Sequence, residues 1–450
     1  MLFRKIESTI REHLQSNTNK ILIVDGARQV GKTFIIRHVG KSLYKNYIEI
    51  NLMEDFKRDR LFANITSIND FYFKLSTKYG NLMDTKDNTL VFLDEIQTYP
   101  ELITLLKFLQ QDNKYTYIVS GSLLGVTLSM TSSIPMGSIH VIRMYPLDFE
   151  EFLRANGFND YAINTIYQFY LQNKSLDEST HNRLMDLFKK YLLVGGLPDA
   201  VNTFLETQNL TKIRAIQEET HNFYAFDASK YDEEKKLVIR KIYDMIPSNL
   251  ENKKKRIVFK DINSNKKGLY ENYQDEFEYL TSAGIALSVN AITEPKFPVV
   301  QSCKKNLLKL YLNDVGILTM LLYRNNPTAI LENINSINLG TVYENVVATE
   351  LKAHGFELYY YDVRSKGEVD FIIDDYDNLS ALPIEVKSGK DYMVHNAING
   401  FLSNSDYNVK KGIVLSNSRQ VKVAENGIVY LPIYYVMFFK PNQTSDVFIK

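Results

Sequence analysis

The sequence predicts an α/β chain in which a parallel sheet is covered by helices and a second, smaller α/β domain closes the C-terminal end. Three observations predict it. From Ile21 to about Met144, short apolar runs alternate with amphipathic stretches, the pattern of buried parallel strands and their crossover helices. A glycine-rich segment sits at the first strand-to-helix junction. After about Gly340 a helix pattern is followed by another series of short apolar runs.

In the first region, strands are expected at Ile21–Val24, Tyr47–Asn51, Thr89–Leu93, Tyr115–Val119 and Ser138–Arg143. From Pro146 to about Gln217 the pattern turns helical, with a break at Gly195-Gly196-Leu197-Pro198, where two glycines and a proline force a turn. From about Asp232, the helix pattern KKLVIRKIYDMI, the short FKDIN, a longer helical stretch and a hairpin near Glu294-Pro295 come in an order compatible with a winged helix-turn-helix. The last region opens with the helix VYENVVATELKAHG and continues with strands at Glu357–Tyr361, Val369–Ile373, Leu382–Val386, Gly412–Leu415 and Ile428–Leu431. The expected division is therefore 1–150 for the sheet core, 151–231 for a helical lid or connector, 232–330 for the winged-helix-like segment and 331–450 for the terminal α/β domain.

Composition bounds the function without choosing it. A chain of 450 residues is too long for one core, and 45% hydrophobic with 24% charged residues is ordinary globular composition. Lys plus Arg and Asp plus Glu each total 53, so net charge offers no argument for a nucleic-acid partner. One cysteine, Cys303, leaves no internal disulfide and points to a reducing compartment. No apolar run approaches the roughly 20 residues of a membrane span, and the N-terminal pattern Leu2, Ile6, Ile10, Leu14 is that of a helix. A cytoplasmic protein without a membrane partner is expected.

The chemistry is concentrated at one junction. After the strand ILIVD comes Gly26-Ala27-Arg28-Gln29-Val30-Gly31-Lys32-Thr33, a full match to the P-loop pattern G-x-x-x-x-G-K-[ST], followed by the helix-compatible FIIRHV. The glycines let backbone N–H groups face phosphates, Lys32 supplies a mobile cation to the β- and γ-phosphates, and Thr33 offers a hydroxyl to Mg²⁺. The strand TLVFLDE then delivers Asp94 to hold the metal through water and Glu95 to polarise the attacking water. Ser120, at the end of the next strand, is the candidate for sensing the γ-phosphate, and Arg143 is a weaker candidate for neutralising charge. ATP and Mg²⁺ are the expected cofactors.

Taken together, ARQVGKT, FLDEIQ, SGSLL, MYPLDFEEFL at 144 to 153, YLLVGGLPDAV at 191 to 201, LYLNDVGIL at 310 to 318 and the run from EVDFII to IEVKSG resemble a family of prokaryotic AAA-superfamily P-loop ATPases of unassigned role. In that family an ATPase core is joined to a C-terminal domain of unknown function, and the resemblance implies an ATP-dependent machine whose substrate is undefined. Many relatives carry Gly-Arg before the fifth strand, whereas this chain reads Gly137-Ser138, so no arginine role is transferred there.

The terminal region resembles the restriction-endonuclease-like PD-(D/E)xK fold, in which Asp370, Glu385 and Lys387 match the acid, acid and lysine positions and Glu344 lies on the opening helix. Residues two apart in a strand share a face, so Glu385 and Lys387 point the same way. A second metal site, with nuclease activity as one alternative and a catalytically inert nuclease-like regulator as the other, is left open. So are DNA contact through Lys253 to Arg256 and a homo-oligomeric state. The seven histidines, His13, His38, His140, His181, His221, His354 and His395, show no ligand spacing and read as structural.

Overall fold

Apolar runs that alternate with amphipathic helices must bury two sheet faces, and the first part of the chain does so. The computed structural model describes residues 1–16, 18–122, 137–227, 235–262, 269–332, 337, 339–389 and 395–441. The N-terminal end of the expected winged-helix-like segment, from Asp232 to residue 234, falls outside them. The chain groups into two compact units: Phe3–Tyr145 with Ser282–Ile285, and Pro146–Thr281 with Ala286–Lys450 and Met1–Leu2.

In the first unit, β1 (Ile21–Asp25), β2 (Asn46–Asn51), β3 (Thr89–Asp94), β4 (Thr116–Gly121) and β5 (Ile139–Arg143) form one sheet in the order β2-β3-β4-β1-β5. Every pairing is parallel. Each strand lies where the apolar runs place it. β4 runs two residues beyond its apolar stretch, because Ser120 and Gly121 continue the register against Val24 and Asp25. Leu22, Ile23, Val24 and the whole of Leu90–Leu93 are fully buried, and each large apolar side chain so removed from water contributes roughly 1.5–3 kcal/mol. Because the strands are parallel, their polar C-terminal residues Asp25, Asn51, Asp94, Ser120 and Arg143 gather at one edge, where ligands collect in an open α/β sheet. A cavity of about 390 Å³ lined by His13, Tyr44, Lys86 and Tyr115 lies at the opposite, N-terminal edge.

The second unit begins with helices Phe149–Ala155, Asp160–Leu171, Glu178–Val194, Pro198–Thr207 and Leu210–Asp227. The expected break holds, and its cause is specific. Gly195 adopts φ 72°, and a Cβ there would stand 2.2 Å from the Asp314 carboxylate. Asp314 accepts from the Gly196 N–H at 2.6 Å and from the Ile317 N–H at 3.0 Å, which caps the helix Val315–Tyr323. The runs YLLVGGLPDAV and LYLNDVGIL are thus two halves of one joint. Burial of the Asp314 carboxyl pushes its pKa up to about 6, against the lowering effect of these backbone donors.

The hairpin expected near Glu294-Pro295 is present as β6 (Ala286–Ile292) and β7 (Cys303–Leu312). It does not stand apart as the wing of a separate domain. β6 pairs in parallel with β8 (Tyr359–Val363), so the hairpin is the edge of an eight-stranded mixed sheet with β9 (Gly367–Asp375), β10 (Ser380–Lys387), β11 (Gly412–Ser416), β12 (Lys422–Val423) and β13 (Ile428–Pro432). The order is β12-β13-β11-β10-β9-β8-β6-β7. Sequence patterning locates strands but carries no information about which distant strand completes their hydrogen bonds, so segments separate in the sequence fuse through one sheet. Tyrosines fill much of this interior, among them Tyr311, Tyr343, Tyr360, Tyr361, Tyr434 and Tyr435. No helix among the described residues is long and apolar enough to cross a membrane.

Candidate nucleotide-binding site

The loop after β1 is shaped by backbone conformations that its sequence supplies. Gly26 has φ 146° and Gly31 φ 96°, and a Cβ on Gly26 would meet the Met144 carbonyl at 2.3 Å. Gly31 is the residue at which the helix Lys32–Leu43 starts, so the helix N-terminus opens on the loop. The Lys32 Nζ donates to the carbonyls of Gly26 and Ala27, at 2.8 Å each, and its side chain is buried within the loop. Burial lowers the Lys32 pKa, while Glu95, Asp25 and Asp94 pull it back up. Arg4, which sequence reasoning missed, donates to the Val30 carbonyl at 2.8 Å and to the Tyr145 carbonyl at 2.6 Å, bracing the loop from the N-terminal segment.

Of the two acids at the end of β3, Asp94 touches this loop directly. Thr33 Oγ1 donates to Asp94 at 2.9 Å, which brings the hydroxyl and the carboxylate that could share a magnesium ion into direct contact. Ser120 Oγ donates to the other Asp94 oxygen. Ser120 is therefore placed to orient Asp94, and its effect on a γ-phosphate would pass through that carboxylate. Burial raises the Asp94 pKa, the Ser120 bond lowers it, and the neighbouring Glu95 raises it. Glu95 comes next, in the left-handed region at φ 59°, a conformation that turns its side chain away from the strand's alternation. Its carboxylate is held by Gln97 and by Ser122 at 3.1 Å, and Gln97 also donates to Ser122 at 3.2 Å. Neither Gln97 nor Ser122 was singled out in the sequence, although both lie inside the motifs FLDEIQ and SGSLL.

Arg143, the candidate for neutralising charge, has partners inside the first unit. Its guanidinium pairs with Asp25 at 3.0 Å and donates to the Ser282 carbonyl, so it ties the ends of β5 and β1 together.

The terminal acids occupy the expected elements: Glu344 on the helix Gly340–Ala353, Asp370 on β9, Glu385 and Lys387 on β10. Glu385 and Lys387 do share a face, 3.5 Å apart. They are not gathered into one metal set, since among the described residues Glu344, Asp370 and Glu385 do not bring ligand atoms within 4.8 Å of one another. Each acid has a partner inside the fold, and after burial the nearby Asp370 raises the Glu344 pKa further. Glu344 is buried and takes a salt bridge from Lys255 and a hydrogen bond from Tyr311 at 3.0 Å. Asp370 accepts the Val386 N–H at 2.8 Å, and Glu385 pairs with His395. The basic run expected to be solvated or to meet a phosphate backbone is thus half consumed inside the fold, because Arg256 also pairs internally, with Asp362.

Similarity to known proteins is most informative for the first unit. Residues 18–153 match the model of a family described as an AAA domain, a span that contains the loop, both acids and all five parallel strands. Residues 18–153 form an AAA-type P-loop domain. Residues 185–328 and 339–436 match two further models, each described as a domain of unknown function (DUF8612 and DUF4143). No curated protein matches this chain in sequence. Among solved structures it is similar to the Walker-type ATPase of Pyrococcus abyssi, with 16% identity, a TM-score of 0.43 and coverage of 72% of this chain and 96% of that one. It is similar also to the Aeropyrum pernix ORC1 protein in complex with DNA, at 13% identity, TM-score 0.31 and 71% and 90% coverage. For the Thermotoga maritima RuvB Holliday junction branch migration motor, the values are 13%, 0.30, 63% and 89%.

Proposed function

We propose that the chain is a Mg²⁺-dependent ATPase that works as a nucleotide-driven switch or motor. The observation that carries this reading is the direct contact between Thr33 and Asp94 beside a glycine loop too tight for any side chain at Gly26. Those residues fit a triphosphate with its metal: the loop from Gly26 to Thr33 offers backbone donors, Lys32 a cation, and Thr33 with Asp94 two oxygen ligands. Magnesium held by Thr33 and Asp94 would supply neutralisation of charge on the phosphates. Lys32 exchanges its bonds to Gly26 and Ala27 for phosphate oxygens, Asp94 is kept in register by Ser120, and Glu95 accepts the proton of the attacking water from a carboxylate positioned by Gln97 and Ser122. Steady ATP turnover that is lost in Lys32→Ala and in Glu95→Gln supports the reading. Turnover unchanged in both variants overturns it.

We infer further that the terminal domain, with its resemblance to the restriction-endonuclease-like PD-(D/E)xK arrangement, grips a partner and does not cut it. Support comes from Lys255, an internal cation that satisfies the charge of Glu344 where a metal-dependent nuclease requires an open acid. Nucleic acid is the partner class that such a scaffold suits, and a homo-oligomer is the assembly that would give one ATPase many grips. Plasmid and single-stranded DNA incubated with Mg²⁺ or Mn²⁺ should remain intact, and cleavage that disappears in Asp370→Ala would reverse this assignment.

A further inference from the structure

Outside the nucleotide loop, the described residues contain one group of three side chains that each bring a ligand atom within 4.8 Å of the others: Asp148, Glu350 and His354. All three belong to the second unit. His354 Nε2 stands 3.5 Å from Asp148 Oδ2 and 3.9 Å from Glu350 Oε2. The His354 side chain is 5% exposed, and neither of its ring nitrogens has a hydrogen-bond partner. A buried imidazole with two unsatisfied nitrogens is costly, and its Nε2 is aimed between two carboxylates.

The remaining oxygens of both acids are already used to orient them. Asp148 caps the helix Phe149–Ala155 by accepting the Glu151 N–H at 2.9 Å, and Glu350 accepts the Phe149 N–H at 2.6 Å. Such bonds hold a ligating carboxylate in place. Donor atoms around a tetrahedral ion with bonds of about 2.0–2.1 Å lie about 3.3 Å apart, so the observed separations need only a small inward rotation. Two carboxylates and a neutral imidazole also match the charge of one divalent cation.

We propose that Asp148, Glu350 and His354 bind a zinc-class divalent ion that clasps the first helix after the AAA-type domain to the helix Gly340–Ala353. One nitrogen and two oxygens, from a helix N-cap, a helix interior and a helix C-cap, suit Zn²⁺, and a site this buried suits a structural ion with a water or a second carboxylate oxygen in the fourth position. The clasp is independent of ATP, because none of its ligands belongs to the nucleotide site.

The test uses the full chain, freed of metal by chelator and titrated with Zn²⁺ or Co²⁺ in the absence of nucleotide. One equivalent should bind and raise the thermal midpoint, Co²⁺ should give the visible absorption of a low-coordinate site, and a large excess of Mg²⁺ should not compete. His354→Gln and Glu350→Gln should each weaken binding on the order of 10–100-fold or more, the range of lost ligands and their supports. Should these variants fail to fold, anomalous diffraction from wild-type crystals soaked in Zn²⁺ decides: a peak between His354 and the two acids supports the clasp. No peak there, no binding by the wild type, or binding unchanged in both variants overturns it and leaves the trio as a buried ionic cluster.

Discussion

Two regions of this chain carry candidate metal-binding acids, and they treat those acids in opposite ways. In the AAA-type domain, Asp94 and Glu95 are held by neutral donors, namely Thr33, Ser120, Ser122 and Gln97. In the terminal domain, Glu344 and Glu385 are held by cationic or cationisable partners, Lys255 with Glu344 and Lys387 and His395 with Glu385. A hydroxyl or amide fixes a carboxylate while leaving its charge for a metal, whereas an ammonium uses that charge up. Acids of one kind are therefore left with their charge available in one domain and are compensated internally in the other.

The largest effect should come from removing the charge that the first region keeps available. Glu95→Gln should lower kcat by about 100-fold or more with nucleotide affinity retained, since a general base contributes about 10²–10⁴-fold. Steady-state turnover alongside fluorescent-nucleotide binding checks it, and an equal loss of both would assign Glu95 to binding instead.

In the second region the expected response is structural. Lys255→Met leaves Glu344 buried without its cation and should cost roughly 3–5 kcal/mol, read by denaturant unfolding. Because Glu344, Asp370 and Glu385 do not converge on one ion, Mn²⁺ should raise the thermal midpoint of neither this variant nor the wild type. An equal rise in both would mean that the wild-type acids are open to metal after all.

The joint at Asp314 in the second unit gives a pH signature. The folded pKa of Asp314, about 6, lies above the ordinary value of 3.8, so the folded state binds a proton more tightly than the unfolded chain does. Its contribution is fully present below the unfolded pKa and is lost as pH rises through about 6, for a change of about 3 kcal/mol. Asp314→Asn should remove that slope from unfolding curves taken between these pH values. A slope that persists would place the titration on another group.

The smallest effect tests the neutral donors themselves. Ser120→Ala removes one hydrogen bond from Asp94 and should reduce kcat roughly tenfold, the low end of the about 1.5–3 kcal/mol for a bond to a charged group. A loss as large as that of Glu95→Gln would give Ser120 a direct role at the phosphate.

How much of the fold and the site was legible in the sequence depends on the range of the interactions. The loop from Gly26 to Thr33 and the strand ending at Asp94 and Glu95 are local patterns, and local patterns carry their own geometry through φ preferences and the two-residue strand period. The partners that decide chemistry are not local. Arg4 reaches the loop from the N-terminus, Lys255 reaches Glu344 across 89 residues, and Arg143 turns to Asp25 instead of to solvent. The β6–β7 hairpin read as a wing because pairing with β8 has no sequence signature. His354 was passed over with the other histidines, although Glu350 and His354 at an i, i+4 spacing on one helix were a usable signal, and the third member, Asp148, could be found only in three dimensions.

The most direct test of the contrast is a crystal structure grown with a non-hydrolysable ATP analogue and Mn²⁺. Anomalous density is predicted between Thr33 and Asp94 beside the triphosphate, with none bridging Glu344, Asp370 and Glu385. Manganese seated among those terminal acids, with the Thr33 and Asp94 pair bare, would contradict the account.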